Sequence, residues 1–156
     1  MTPQLYDRII LPAVFELLGP KYDSREARAM LIAIALQESR LQYRRQIQGP
    51  ARGYHQFETG GVQAVLTHRG VGPAAHQAAK DLGYAPLVPV LHPAFEHNDL
   101  LDGAFARLLL YADARPLPKP AQHDLAWTIY IFGWRPGKPH RQTWNDCYDE
   151  AWGIVL

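Results

Sequence analysis

One carboxylate in this chain lies where water should be scarce. Glu38 closes the run Ser24-Arg25-Glu26-Ala27-Arg28-Ala29-Met30-Leu31-Ile32-Ala33-Ile34-Ala35-Leu36-Gln37-Glu38-Ser39. In it Ala27, Leu31, Ile34, Ala35 and Glu38 fall at i, i+4, i+7, i+8 and i+11, so they share one face of a helix. An acid on that face is poorly hydrated, and desolvation disfavours its charged form and raises its pKa. A carboxyl that keeps its proton near neutral pH is what general acid catalysis requires. The plain alternative is a solvated glutamate at a helix end. The residues that follow argue against it: Ser39, then Gly53-Tyr54-His55-Gln56 in a glycine-rich loop with Glu58 beyond, then Tyr130 close to Gly133-Trp134.

These side chains suit a glycan. Gln56 offers both a donor and an acceptor, the pairing that reads an acetamido group. Tyr54 and His55 are expected to line a cleft beside Glu38 by stacking and hydrogen bonding, although His55 alone reads as a surface-loop histidine rather than a catalytic one. Gly53 lets the backbone approach a ligand closely. Cleaving a glycosidic bond needs a proton on the leaving oxygen and stabilisation of an oxocarbenium-like centre. A second carboxylate would stand at about 5–5.5 Å for retention or about 6.5–9.5 Å for inversion. No acid lies between Glu38 and Glu58, so Glu58 is the one nearby candidate for a hydrolytic base. As a plain structural residue, Glu58 is an acid at a helix N-terminus beside Thr59-Gly60-Gly61.

The elements that must hold these residues are helical. Thr2 and Pro3 make a good cap and first turn, Pro12 predicts a kink or two short pieces, and Gly19-Pro20 ends the first helix. Ser24 caps the Glu38 helix. Residues 42–61 lose apolar periodicity and read as a long loop or small irregular β-lobe. Helical patterns return at 62–68, at 73–82 with Gly83 as C-cap, and at 99–112 behind Asn98, with Leu101, Ala104, Phe105, Leu108 and Ala112 on its face. Three prolines make 114–122 an extended connector. Residues 125–132 fit a short helix or a strand and are taken as helix among helices. Residues 134–139 read as loop, which would free Trp134 to flank the cleft as a sugar platform or to pin its loop. Thr143 then caps a last helix through residue 152, and Trp127, Trp144 and Trp152 read as core. The expected fold is all-α with one irregular lobe, a single domain over 1–156.

Composition narrows the partners. A chain of 156 residues with 47% apolar and 20% charged content suits one soluble domain with a proper core. No apolar run approaches the roughly 20 residues that cross a bilayer, so no membrane insertion is expected. The first residues carry no basic stretch followed by an apolar core, so no signal peptide is visible. Cys147 stands alone, which excludes an internal disulfide and a cysteine-based zinc cage, and no histidine pair sits beside an acid at ligand spacing. No cofactor and no metal is implied. A net charge of +1 counts against a nucleic-acid partner, the weakest reading of Arg40, Arg44, Arg45 and Arg52. That cluster reads equally as a solvated loop or as a groove wall donating to a polar or anionic polymer.

Glu38-Ser39 at the end of an amphipathic helix, Gly53 and Gln56 in a glycine-rich loop, and Tyr130 near Gly133-Trp134 resemble, in that order, the lysozyme-like superfamily of goose-type lysozymes and soluble lytic transglycosylases. The stretch from Gly49 to Glu58 and the loop Trp134-Arg135-Pro136-Gly137-Lys138-Pro139 also look like small lysozyme-like proteins of tailed bacteriophages. The resemblance spans most of the chain in order but rests on few identities. Tyr54-His55 replaces a more usual apolar pair, and Ile131 stands where many relatives carry asparagine. It implies a lysozyme-like fold, bacterial peptidoglycan as substrate, Glu38 as acid, Tyr130 as its hydrogen-bond partner, and a lytic transglycosylase that needs no second acid because the substrate's N-acetyl and 6-hydroxyl groups complete the reaction. A monomer is expected, made in the cytoplasm and acting on the cell wall, either free or with other virion proteins in a phage particle. The alternative is a tail-associated phage protein that keeps the fold and binds glycan without cutting it.

Overall fold

The computed structural model describes residues 1–155; Leu156, the last residue of the expected domain, lies outside them. Among the described residues nine α-helices run in order: α1 (Pro3–Leu5), α2 (Leu11–Leu18), α3 (Arg25–Ser39), α4 (Thr59–Thr67), α5 (Gly72–Asp81), α6 (Val88–Ala94), α7 (Asp99–Ala112), α8 (His123–Trp134) and α9 (Arg141–Val155). The fold is all-α. Among the described residues, no helix is long and apolar enough to cross a membrane.

Capping chemistry sets three of the helix starts. The hydroxyl of Thr2 accepts from Leu5 N, Ser24 Oγ from Ala27 N at 3.1 Å, and Asn98 Oδ1 from Leu101 N at 3.0 Å. Pro12 sits in the first turn of α2, where its missing N–H is not needed. Just before it the chain widens over Tyr6–Ile10, and Leu11 N–H reaches back five residues to the Tyr6 carbonyl. The first helical stretch is thus divided into α1, this widened turn and α2.

Helix α3 is the spine. Besides the expected stripe of Ala27, Leu31, Ile34 and Ala35, it also buries Ala29, Met30, Ile32 and Ala33 completely, so its apolar surface covers almost every side. Its most extensive packing is against α9, while α7 packs on α2, α5 and α3. One continuous core runs from Tyr6 to Trp152. The 42–58 segment holds only two single antiparallel bridges, Arg45 to Arg52 and Arg52 to Phe57, which makes it the irregular lobe.

Several boundaries differ from the expectation. α8 does not stop before Gly133: it runs through Trp134 and ends on Arg135 in the left-handed region, at φ 49°. Trp134 is therefore the last residue of a helix and not part of a loop. α9 begins at Arg141, ahead of the expected Thr143 cap. α6 was not expected, because its prolines mask it; Pro89 lies in the first turn, where it is tolerated.

Candidate active site

Glu38 reaches the wall of a cleft of about 1230 Å³ bounded by the ends of α3 and α8, the start of α4 and the α8–α9 loop. Small-molecule sites hold roughly 300–1,000 Å³, so this cleft lies just above that range. The Tyr130 hydroxyl donates to Glu38 Oε1 at 2.6 Å, across 92 residues of sequence. The Tyr130 ring is held by stacking on Trp144, with centroids 4.8 Å apart and planes 11° from parallel, and by Trp127 at 5.4 Å. The end of α3 is tied to the α8–α9 loop by Gln37, whose amide donates to the His140 carbonyl at 3.0 Å and accepts from Thr143 at 2.9 Å. Acid and phenol are thereby fixed against each other from two elements.

Burial pushes the Glu38 carboxyl up from 4.5 to about 7. The Tyr130 hydrogen bond and the nearby His55 pull it back down, and Glu58 pushes it further up. The tyrosine is itself raised, first by burial and then by the carboxylate beside it, so it stays a donor. With Oε1 receiving the phenol proton, the carboxyl's own proton is left to Oε2, which makes no hydrogen bond among the described residues. Near neutral pH a substantial fraction of Glu38 thus keeps its proton, on a residue that lines the cleft.

The remaining sequence-named residues divide. Gln56, Glu58 and Trp134 line the cleft with Glu38 and Tyr130. Gln56 sits at φ 52°, and its amide nitrogen donates to the carbonyls of Gly53 at 2.8 Å and Tyr43 at 3.3 Å. Its donors are engaged by its own loop, so it presents an acceptor rather than the expected donor–acceptor pair. Glu58 is the N-cap residue of α4, with no capping bond from its side chain.

Tyr54 and His55 do not form the expected sugar wall. Both side chains are buried, His55 completely. The chain reverses between Arg52 and Phe57, which exchange backbone bonds at 2.8 and 2.9 Å, and this tight turn aims residues 54 and 55 into the core. There the Tyr54 ring meets Tyr6 edge-on under the Arg44 guanidinium, and His55 meets Asp102. Ser39 is also corrected from a substrate contact to a brace. Buried, it donates to the Tyr54 carbonyl at 2.7 Å and accepts from Leu41 N at 3.2 Å. Gly53, at φ 78°, faces Asp102 rather than a ligand, and a Cβ there would overlap the Asp102 carboxylate.

The arginine cluster is not a groove wall. Arg44 pairs with Asp99 at 2.8 Å and Arg52 with Glu96 at 3.2 Å, fastening the lobe to α7 and its approach. The cleft instead carries Arg135 and Lys138, from the loop after α8, and the exposed Phe132, residues expected only as parts of that loop and of α8 with no site role. Their signal was proximity to Tyr130 in sequence. The Cys147 thiol is buried, and burial raises its pKa. Among the described residues, no three His, Cys, Asp or Glu side chains converge as a metal site requires. Comparison with protein-family models, curated protein sequences and solved structures finds no match to this chain.

Proposed function

We propose that this chain is a peptidoglycan-cleaving glycosidase acting on the bond between N-acetylmuramic acid and N-acetylglucosamine, with Glu38 as its acid. The observation that carries the reading is the half-buried Glu38 carboxyl held by Tyr130 on the wall of a large cleft, with desolvation raising its pKa. In this reading Oε2 delivers its proton to the glycosidic oxygen as the bond to the muramic acid C1 breaks, and the glucosamine leaves as an alcohol. The substrate's N-acetyl oxygen supports the developing positive charge. The resulting Glu38 carboxylate then takes the proton of the muramic acid 6-hydroxyl while that oxygen bonds to C1. A 1,6-anhydro end forms, the acid is regenerated, and no second protein carboxylate takes part. Gln56 accepts from a sugar N–H or hydroxyl, and Trp134 lines the same cleft. The bacterial cell wall is the site of action, and the likeness to phage proteins suggests delivery by a phage.

Digestion of purified peptidoglycan followed by mass analysis of the fragments tests this. The expected result is anhydromuramic ends from the wild type and a ~10²–10⁴-fold loss for Glu38→Gln. Intact glycan with retained binding would instead make the chain a non-catalytic glycan binder. Glu58 supports a second reading, because it lines the same cleft and acts electrostatically on Glu38. If the main product carries a reducing muramic acid and Glu58→Gln is inactive, Glu58 is the water-activating base of an inverting hydrolase.

A further inference from the structure

Behind the cleft lies a pair of titratable groups that takes no part in the proton transfer above. The His55 ring and the Asp102 side chain are both fully buried, with Nδ1 2.7 Å from Oδ2. The same Oδ2 accepts the backbone N–H of His55 at 3.3 Å. The other ring nitrogen, Nε2, lies 3.2 Å from the Leu31 carbonyl on α3. A carbonyl only accepts, so Nε2 carries a proton, and a second proton must lie between Nδ1 and the carboxyl group. Whichever of those two atoms holds the second proton, the pair has two protons and no net charge.

The backbone around this pair joins three helices. Ser39 on α3 donates to the Tyr54 carbonyl, Asp102 on α7 receives His55 N–H, and the Trp134 indole at the end of α8 donates to the His55 carbonyl at 2.9 Å. Gln56 is the next residue. A buried ionic pair seldom adds stability over well-packed apolar side chains, and its better-attested use is to specify one arrangement.

The geometry points to His55 and Asp102 as a positioning pair that sets where Gln56 and Trp134, both on the cleft lining, stand relative to each other. It acts through the 54–56 backbone and touches no substrate. Gly53 is part of the same device, because any side chain at 53 would displace the Asp102 carboxylate. The proposal rests on the glycosidase reading for its kinetic consequence but not for its structural one.

The test compares wild type with Asp102→Asn and with the apolar double variant His55→Leu/Asp102→Val, in the full chain. The double variant leaves no buried charge unpaired, so it is expected to keep its fold and to melt within a few degrees of wild type. Its KM for soluble glycan fragments should rise about tenfold, its kcat should fall less than threefold, and Asp102→Asn should lie between. Independently of activity, the Trp134 indole N–H resonance should move and broaden in the double variant, and ¹⁵N spectra of wild type should show a proton on Nε2 of His55. If wild type cuts no glycan, the glycosidase reading falls while the two spectroscopic measurements still decide the positioning role. An unmoved indole signal, an unprotonated Nε2, or wild-type KM in the folded double variant would each overturn it. A double variant that fails to melt cooperatively would make the pair a folding requirement, and that too would overturn it.

Discussion

Replacing Glu38 by glutamine keeps the side chain's shape and removes its charge, and the effect on stability follows from its burial. The folded carboxyl titrates at about 7, against 4.5 for an unperturbed one. Between those values the folded state holds a proton that the unfolded chain has released. For an acid raised in this way, the stabilisation is complete below the unfolded value and is lost as pH rises through the folded one. Each unit of separation is worth about 1.36 kcal/mol, so moving from 4.5 to about 7 corresponds to roughly 3 kcal/mol. The cleft side of the carboxyl meets solvent, which brings the expectation to about 2–3 kcal/mol. Glutamine has no such proton to lose. The stability of Glu38→Gln relative to wild type should therefore be level below about pH 5 and climb by that amount by about pH 8. For a chain of this size that is about 4–12 °C in the difference between melting temperatures. Paired thermal melts at several pH values are the assay, since every other titrating group cancels in the difference. A difference that stays flat from acid to mildly alkaline pH would mean that Glu38 is fully hydrated, and the argument for a neutral-pH acid would fail with it.

Tyr130→Phe removes a hydrogen bond that favours the ionised acid. A bond to a charged group is worth about 1.5–3 kcal/mol, so the alkaline limb of kcat/KM should move up by about one to two pH units. A limb that does not move would separate Tyr130 from the acid. Gly53→Ala must hold alanine at φ 78° against Asp102, and urea melts should show a loss of about 2 kcal/mol or more. A loss under about 0.5 kcal/mol would mean that the turn relaxes freely. Gln56→Ala should weaken chito-oligosaccharide binding about tenfold by calorimetry, the worth of one net hydrogen bond. It should also lower stability by about 1 kcal/mol, because its loop loses the bonds to the Gly53 and Tyr43 carbonyls. Unchanged affinity would remove Gln56 from the site.

What could be read without coordinates was local. Thr2, Ser24 and Asn98 cap their helices within three residues of themselves, and the stripe leading to Glu38 is carried by one helix. The orientation of Tyr54 and His55 was not local, because it is decided by an acid 47 residues away on α7. Asp102 did leave a trace. It stands among Leu100, Leu101, Gly103, Ala104, Phe105 and Ala106, and a helix apolar on nearly every side is buried. An acid inside such a run needs a buried partner, and His55 is that partner.

The two acids differ in a way that bears on the proposed reading. Burial raises both carboxyls. Asp102 is sealed between Gly53 and His55, with its proton shared inside the core and no path to a ligand. Glu38 is held through one oxygen, by a donor that cannot readily give up its own proton, and it lines a cleft. Periodicity finds an acid on an apolar face in both cases. Only the distant Tyr130 on α8 and the cleft lining set Glu38 apart, and for that reason the acid was legible from its own helix while the site around it was not.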